Sequence, residues 1–268
     1  MVQTADAKIK EVAKLLKTCK SILFITGAGI SADSGLPTYR GMGGLYENDA
    51  TEDGISIETA LAGETLRKKP EITWKYLSQI EKRCRGARFN RAHGIIAETE
   101  RRFERVWVLT QNIDGFHHAA GSRNVIDIHG DMHDIRCDQC GWKTRVENYD
   151  GLSIPPRCPE CHAIARPDVV FFGEYLQPHK VDLMEREVEQ PFDIYFSIGT
   201  TSVFPYIQHP MALASHLKKP TVEINPDRTE ISGWVDTRIP LGAAEALEAI
   251  WRDAGLGTRN TESGTRDS

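Results

Sequence analysis

Short apolar runs in this chain stop, one after another, at clusters of small or polar residues, and that repeated ending constrains the fold more than any other feature. Ile22-Leu23-Phe24-Ile25 runs into Gly27-Ala28-Gly29, and Val106-Trp107-Val108-Leu109-Thr110 into Gln111-Asn112-Ile113-Asp114. Val125-Ile126-Asp127-Ile128 stops at His129-Gly130, Asp193-Ile194-Tyr195-Phe196-Ser197-Ile198 at Gly199-Thr200-Thr201-Ser202, and Thr221-Val222-Glu223-Ile224 at Asn225-Pro226-Asp227. Continuous apolar runs of this length, rich in β-branched residues, read as strands buried on both faces of a parallel sheet. In an open parallel sheet, ligands bind outside the carboxyl ends of the strands. The fold class expected is α/β, a Rossmann-like parallel sheet with a large ligand site along its strand ends.

The first strand end carries the most detail. Glycines there let the backbone turn tightly and approach a ligand with no Cβ in the way. A helix starting near Ile30 aims its N–H groups and positive dipole end at the turn, which suits a pyrophosphate. The spacing is GxG-x5-G instead of GxGxxG, so an ordinary strand-to-helix turn stays open as the other reading. Pro37-Thr38-Tyr39-Arg40-Gly41, followed by Gly43-Gly44-Leu45-Tyr46, forms a glycine-rich loop with an arginine and aromatics, the composition of a flap over a charged ligand. Before the first strand, Ile9, Val12, Ala13, Leu15 and Leu16 share a helical face. Residues 42–104 read as a helical insertion, mostly helical from 55 onward and suited to a substrate lobe. The tail, 255–268, is polar and expected to be disordered.

Cys137-x2-Cys140 and Cys158-x2-Cys161 are separated by seventeen residues. Each pair supplies two thiolates, and together they make a closed four-cysteine zinc site, whereas a single CxxC would leave a redox dithiol as the simpler reading. Four protein ligands leave no open position, so one structural Zn²⁺ is expected, in a module at 131–165 too small to fold without it. His133 and His162 read as bystanders, and Cys19 and Cys84 as ordinary thiols. A formal net charge of −5 gives no support to direct nucleic-acid binding. There is no apolar run long enough for a membrane span and no signal-peptide pattern, so a cytoplasmic chain is expected, where cysteine pairs favour metal over disulfide.

Gln111, Asn112, Asp114 and His129 all stand at strand ends. Each alone has a plain explanation, such as a turn former, a helix cap or a satisfied core histidine. Gathered beside a glycine turn, they suit work on a bound ribose. A histidine there can take a hydroxyl proton near neutral pH, and a carboxylate can bind a carboxamide N–H₂. His117 and His118 follow on a short helix and read as structural or surface residues.

GAGISADSGLPTYRG, TQNIDGFHHAAGS, IDIHG, the two CxxC pairs, RPDVVFFGE, IGTTS and EINPD occur in that order. This succession resembles the sirtuin family of the bacterial type, NAD-dependent protein lysine deacylases, over residues 20–250. The resemblance implies an NAD-binding domain made of 1–41, 105–130 and 166–254, with the helical insertion and the zinc module as a smaller lobe. It implies that an acyl-lysine protein or peptide enters between the lobes and pairs as a strand with 171–174. The acyl oxygen would attack C1′ of the nicotinamide ribose and expel nicotinamide, with His129 then acting as general base on the ribose hydroxyls. Asn112 would position the ribose and a water, while Asp114 and Ile113 would hold the carboxamide. Gly27, Ala28, Gly29, Ser31, Tyr39, Arg40 and Gln111 would line the phosphate and ribose part of the NAD site. Gly199, Thr200, Thr201, Asn225, Asp227 and Ala244 would meet the adenosine half. Val169, Val170, Phe171, Phe172, Gly173 and Glu174 would form the substrate segment, its apolar members walling the acyl channel. A monomer is expected.

Three departures from the family pattern bear on this. Tyr39 stands where the family usually has Phe. The family's GTS segment is GTT here, with Pro205 one residue early. The Tyr-x-x-Arg pair of the succinyl- and malonyl-preferring subgroup falls on Leu77 and Ile80, neither of which can bind a carboxylate as an arginine fork does. A preference for neutral acyl groups follows. Three other readings compete: a protein ADP-ribosyltransferase, an NAD glycohydrolase, and a non-catalytic NAD or ADP-ribose sensor. A hydride-transferring dehydrogenase is disfavoured by the glycine spacing.

Overall fold

The computed structural model describes residues 4–36 and 51–257. The chain opens with α1 (Ala5–Leu16), β1 (Ser21–Thr26) and a 3-10 helix (Ala28–Ser34), then resumes with α2 (Ile57–Ala60), α3 (Gly63–Lys68), α4 (Pro70–Cys84) and α5 (Arg91–Thr99). Next come β2 (Arg105–Thr110), α6 (Phe116–Ala119), β3 (Val125–Asp127), β4 (Gly130–Arg136), β5 (Lys143–Arg145) and β6 (Arg166–Val169). The rest is α7 (Pro178–Glu189), β7 (Ile194–Ile198), α8 (Pro205–His216), β8 (Thr221–Ile224), β9 (Thr237–Ile239) and α9 (Ala243–Asp253).

A six-stranded parallel sheet runs in the order β3-β2-β1-β7-β8-β9. β1 shows why its sequence is apolar throughout. Ile22 and Phe24 face a core built with α1, α5 and α9, whereas Leu23 and Ile25 face a second core built with α7 and α8. Both faces of the sheet are covered, so successive residues of opposite orientation are all buried. Phe24 and Phe196 stack across β1 and β7 with ring centroids 5.2 Å apart.

The smaller lobe has its own three-stranded antiparallel sheet, β5-β4-β6. Its core joins Leu61, Leu66, Trp74, Leu77 and Ile80 of the helical segment to Met132, Ile135, Tyr149 and Phe171. Trp74 is fully buried, donates from its indole N–H to the Ala165 carbonyl at 3.0 Å, and packs on the Tyr149 ring. The metal module therefore shares its core with the helical insertion.

Packing draws the lobes differently from the sequence boundaries in two places. α5 lies inside the expected insertion 42–104, yet Ala92, Ile95 and Ile96 are part of the large-lobe core beside α9. β6 lies within 166–254, expected in the large domain, but hydrogen-bonds to β4 in the small sheet. In both cases the apolar pattern marks a buried element without telling which core buries it. Of the expected tail, 258–268 lies outside the described residues; Leu256 packs against the large-lobe core.

Candidate active site

The ends of β1, β2, β3, β7 and β8 converge, and glycine makes the convergence possible. The N–H of Gly27 donates to the Ile198 carbonyl at 3.1 Å, and that of Gly29 to the Gly199 carbonyl at 2.8 Å. A Cβ on Gly27 would lie 2.7 Å from Thr200 Cβ, and one on Gly29 would lie 2.6 Å from Gly199 Cα. These glycines bring two strand ends into backbone contact, and their N–H groups are occupied by β7. The helix that follows is 3-10 in form and ends at Gly35.

Gly199 closes the arrangement from the other side. Its φ is +59°, and a Cβ there would sit 2.4 Å from both Gly29 C and Ile30 N. Gly199→Ala is expected to cost about 1–2 kcal/mol for the left-handed backbone alone. The overlap with main-chain atoms, which cannot rotate aside, brings the loss to about 3 kcal/mol or more. Chemical denaturation of the variant measures it, and a loss below about 1 kcal/mol would contradict the packing described.

Behind this turn lies a buried polar relay. Ser31 Oγ donates to Asp114 Oδ2 at 2.7 Å, and Asn112 Nδ2 donates to Ser31 Oγ and to the Gly27 carbonyl, both at 3.2 Å. Asp114 Oδ1 accepts from the Phe116 N–H at 3.0 Å, as an N-terminal residue of a helix does. Burial pushes the Asp114 carboxyl up from its ordinary range, against the lowering effect of these two hydrogen bonds. Gln111 Nε2 donates to Thr200 Oγ1 at 2.7 Å, tying the end of β2 to the end of β7.

His129 follows β3. Its Nδ1 lies 2.9 Å from the Gln111 carbonyl, an acceptor only, so Nδ1 carries the proton and Nε2 presents its lone pair. Nε2 in turn lies 2.7 Å from the Tyr206 hydroxyl. Burial lowers the His129 pKa, and the positive charge of Lys180 lowers it further, while the Gln111 carbonyl opposes both. The result is a neutral imidazole at physiological pH with one basic nitrogen, the state a general base requires.

The segment 169–174 divides by strand alternation. Val169 and Phe171 are buried in the small-lobe core, and Val170 and Phe172 point the other way, with Phe172 39% exposed. Of the four residues expected to wall an acyl channel, Val169 and Phe171 are part of the small-lobe core. The Phe172 N–H donates to the Leu61 carbonyl at 3.1 Å, and its carbonyl accepts from Gly63 at 3.0 Å. Glu174 faces inward, accepting two 2.7 Å bonds from Arg166 and one from the Phe171 N–H. Burial alone would raise its carboxyl, and the Arg166 guanidinium outweighs burial and holds it low. Glu174 thus braces the segment from behind.

Among the remaining expected contacts, Asn225 Nδ2 donates to the Thr200 carbonyl at 3.2 Å, whereas Thr201 and Asp227 are exposed. Ile113 is partly buried against the small-lobe core, its carbonyl accepting from Met132 at 2.9 Å. The N–H of Ala244 is taken by Asp33 Oδ2 at 3.0 Å. Ala28 lies in the 3-10 helix, and Gly173 makes the turn after Phe172 with φ +78°. Tyr39 and Arg40, with the rest of the expected flap, lie outside the described residues.

The four cysteines meet as expected. The sulfurs of Cys137, Cys140, Cys158 and Cys161 all lie within 4.8 Å of one another, with pairs at 3.4 and 3.5 Å. A tetrahedral zinc at its usual bond length sets sulfurs about 3.8 Å apart. The donor set fits one ion with every position filled.

Sequence reasoning missed Tyr206, Phe204 and Arg166. Phe204 and Tyr206 stack with centroids 5.4 Å apart and present ring edges or faces to His129. The displaced proline was the available signal, since Pro205 begins α8 and so puts Tyr206 in its first turn.

Comparison with known proteins decides the family. The profile described as the Sir2 family matches residues 27–205. This chain belongs to the Sir2 family. It is 45% identical over 249 residues to NAD-dependent protein deacylase 2 of Pseudomonas aeruginosa, covering 92% of this chain and 97% of that one. It resembles the crystal structure of a Sir2 homologue–NAD complex with a TM-score of 0.82 at 32% identity, over 92% of this chain and 95% of the other. A Sir2 structure with a deacetylated p53 peptide and 3′-O-acetyl-ADP-ribose matches at TM-score 0.82 and 25% identity, over 93% and 99% of the two chains. The parallel sheet and the cysteine cluster described above are the two lobes of a Sir2 fold.

Proposed function

We infer that this chain is an NAD-dependent protein deacylase, removing acyl groups from lysine side chains and releasing nicotinamide and O-acyl-ADP-ribose. The observation that carries the reading is His129. In a Sir2-family chain, a histidine at a strand end has its Nδ1 proton fixed by the Gln111 carbonyl and its Nε2 lone pair available as a base. A module that only senses NAD needs no such base. Asn112 positions the ribose and a water, and Asp114 with Ile113 holds the nicotinamide carboxamide. The strand ends at 27–29, 111, 199–201 and 225 take the rest of NAD, with Asp227 and Ala244 at the adenosine end. The acyl-lysine backbone pairs beside 170–174, where Val170 and Phe172 face away from the core.

Neutral acyl groups are the preferred cargo. Leu77 and Ile80 are buried in the small-lobe core, 5% and 9% exposed, so neither offers a cation or a phenol to an acidic acyl chain. Four clustered thiols suit a reducing cytoplasm, and no helix among the described residues is long and apolar enough to cross a membrane.

Mass spectrometry of acetyl- and succinyl-lysine peptides, each incubated with and without NAD, tests the reading. Loss of the acetyl group only with NAD, together with nicotinamide and O-acetyl-ADP-ribose, is expected, and the succinyl peptide should turn over at least about tenfold more slowly, since one charge-assisted contact is missing. Consumption of NAD with the acetyl group left in place would establish a transferase or glycohydrolase instead. No turnover of NAD with either peptide would leave a sensor.

A further inference from the structure

His129 is the base of the proposed reaction, and its reactive nitrogen is already engaged. Tyr206 is a phenol on a different element, in the first turn of α8, 2.7 Å from Nε2. The direction of this bond is fixed by the other side of the ring. Because the Gln111 carbonyl can only accept, Nδ1 donates to it, Nε2 has no proton, and Tyr206 must be the donor.

We propose that Tyr206 is the positioning residue of this site, a hydroxyl that holds the His129 ring with Nε2 aimed at the cleft until a ribose hydroxyl takes its place. The phenol donates to Nε2 of the neutral imidazole and, by turning its O–H, accepts from Nε2–H of the imidazolium, where the bond is charge-assisted and stronger. The lone pair accepts one hydrogen at a time. A ribose hydroxyl that gives its proton to Nε2 therefore displaces the Tyr206 hydroxyl first.

The surroundings fit this role. Phe204 stacks on the Tyr206 ring and limits its swing, and its own edge contact with His129 completes an aromatic corner. Burial pushes the phenol up to about 12, so it remains a donor throughout the working range. The charged neighbours of His129 are Lys180, from α7, and through it Asp127, which pairs with Lys180 at 3.0 Å. Lys180 opposes protonation of His129 and remains in place when Tyr206 is changed, so the tyrosine's share can be isolated. Pro205 at the first position of α8 sets the helix start that delivers the hydroxyl.

The inference rests on the deacylase reading for its purpose, but its test does not. Long-range ¹H–¹⁵N spectra of the histidine-labelled full chain report tautomer and pKa of His129 directly. The wild type is expected to show protonated Nδ1. In Tyr206→Phe, which keeps the ring, the His129 pKa is expected to fall by about half to one pH unit, the difference between a charge-assisted and a neutral hydrogen bond. Where deacylation is observed, the acid limb of its kcat/KM profile moves downward by the same amount. A wild-type Nε2–H tautomer would overturn the proposal. So would an unchanged His129 pKa in the variant. If the pKa moves as expected while acetyl-lysine peptides remain untouched, this inference stands and the deacylase reading falls.

Discussion

Replacing His129 with alanine is expected to lower the rate of peptide deacylation by about 10²–10⁴-fold, the usual contribution of a positioned general base. The size follows from how little else in the vicinity can take a proton. Asp114 already accepts bonds from Ser31 and Phe116, and the Tyr206 phenol is held protonated. The fold is expected to survive, because the His129 ring bonds to one carbonyl and one phenol at the edge of the cleft instead of supporting a core. Leaving-group departure from the ribose needs no base, so exchange of labelled nicotinamide into NAD should fall much less than product formation. Rates measured by mass spectrometry and by label exchange separate the two steps. Equal loss of both would assign His129 to binding in place of proton transfer.

Removal of the metal is the other large effect. The four thiolates sit at one end of a small sheet whose strands lead directly to the active site. β4 begins at Gly130, next to His129, and β6 runs into 170–174. Stripping zinc is expected to abolish activity and to open the segment 130–170 to hydrogen exchange, since binding in small zinc modules is worth about 10–16 kcal/mol. Cys137 and Cys158 are buried, and once the ion is gone nothing offsets their crowding against the other two sulfurs. The shared core with Trp74 and Leu77 spreads the damage to the helical segment. The large lobe has its cores on either side of the parallel sheet and should stay protected. Inductively coupled mass spectrometry for zinc, with hydrogen exchange and activity on the same sample, checks this. Full activity in a zinc-free sample would refute a structural role.

Much of this was legible in the sequence because the relevant signals are local. A strand buried on both faces is continuously apolar, so β1, β2, β7 and β8 announce themselves, and two CxxC pairs bring their own geometry. Gln111, Asn112, Asp114 and His129 were readable because each follows such a strand directly. What stayed hidden depends on contacts between distant segments. β9 is three residues with an arginine at its centre, and nothing in Thr237-Arg238-Ile239 announces a strand until β8 is beside it. The apolar residues of α5 do not say that they belong with α9. Val169 and Phe171 differ from Val170 and Phe172 only in parity, which becomes visible once the register of the sheet is known. Tyr206 reaches His129 from 77 positions away, through the start of a helix.

The three glycines at the meeting of β1 and β7 carry a consequence for how this protein can change over time. Each position is closed to a side chain by the main chain of the opposite turn, Gly199 against Gly29 and Ile30, and Gly29 against Gly199. Exchanging one alone creates an overlap that no rotamer relieves. No stepwise route leads away from this arrangement. Variation in lineages of such a chain is therefore channelled: the meeting of β1 and β7 is frozen by backbone contact, and change has to fall elsewhere.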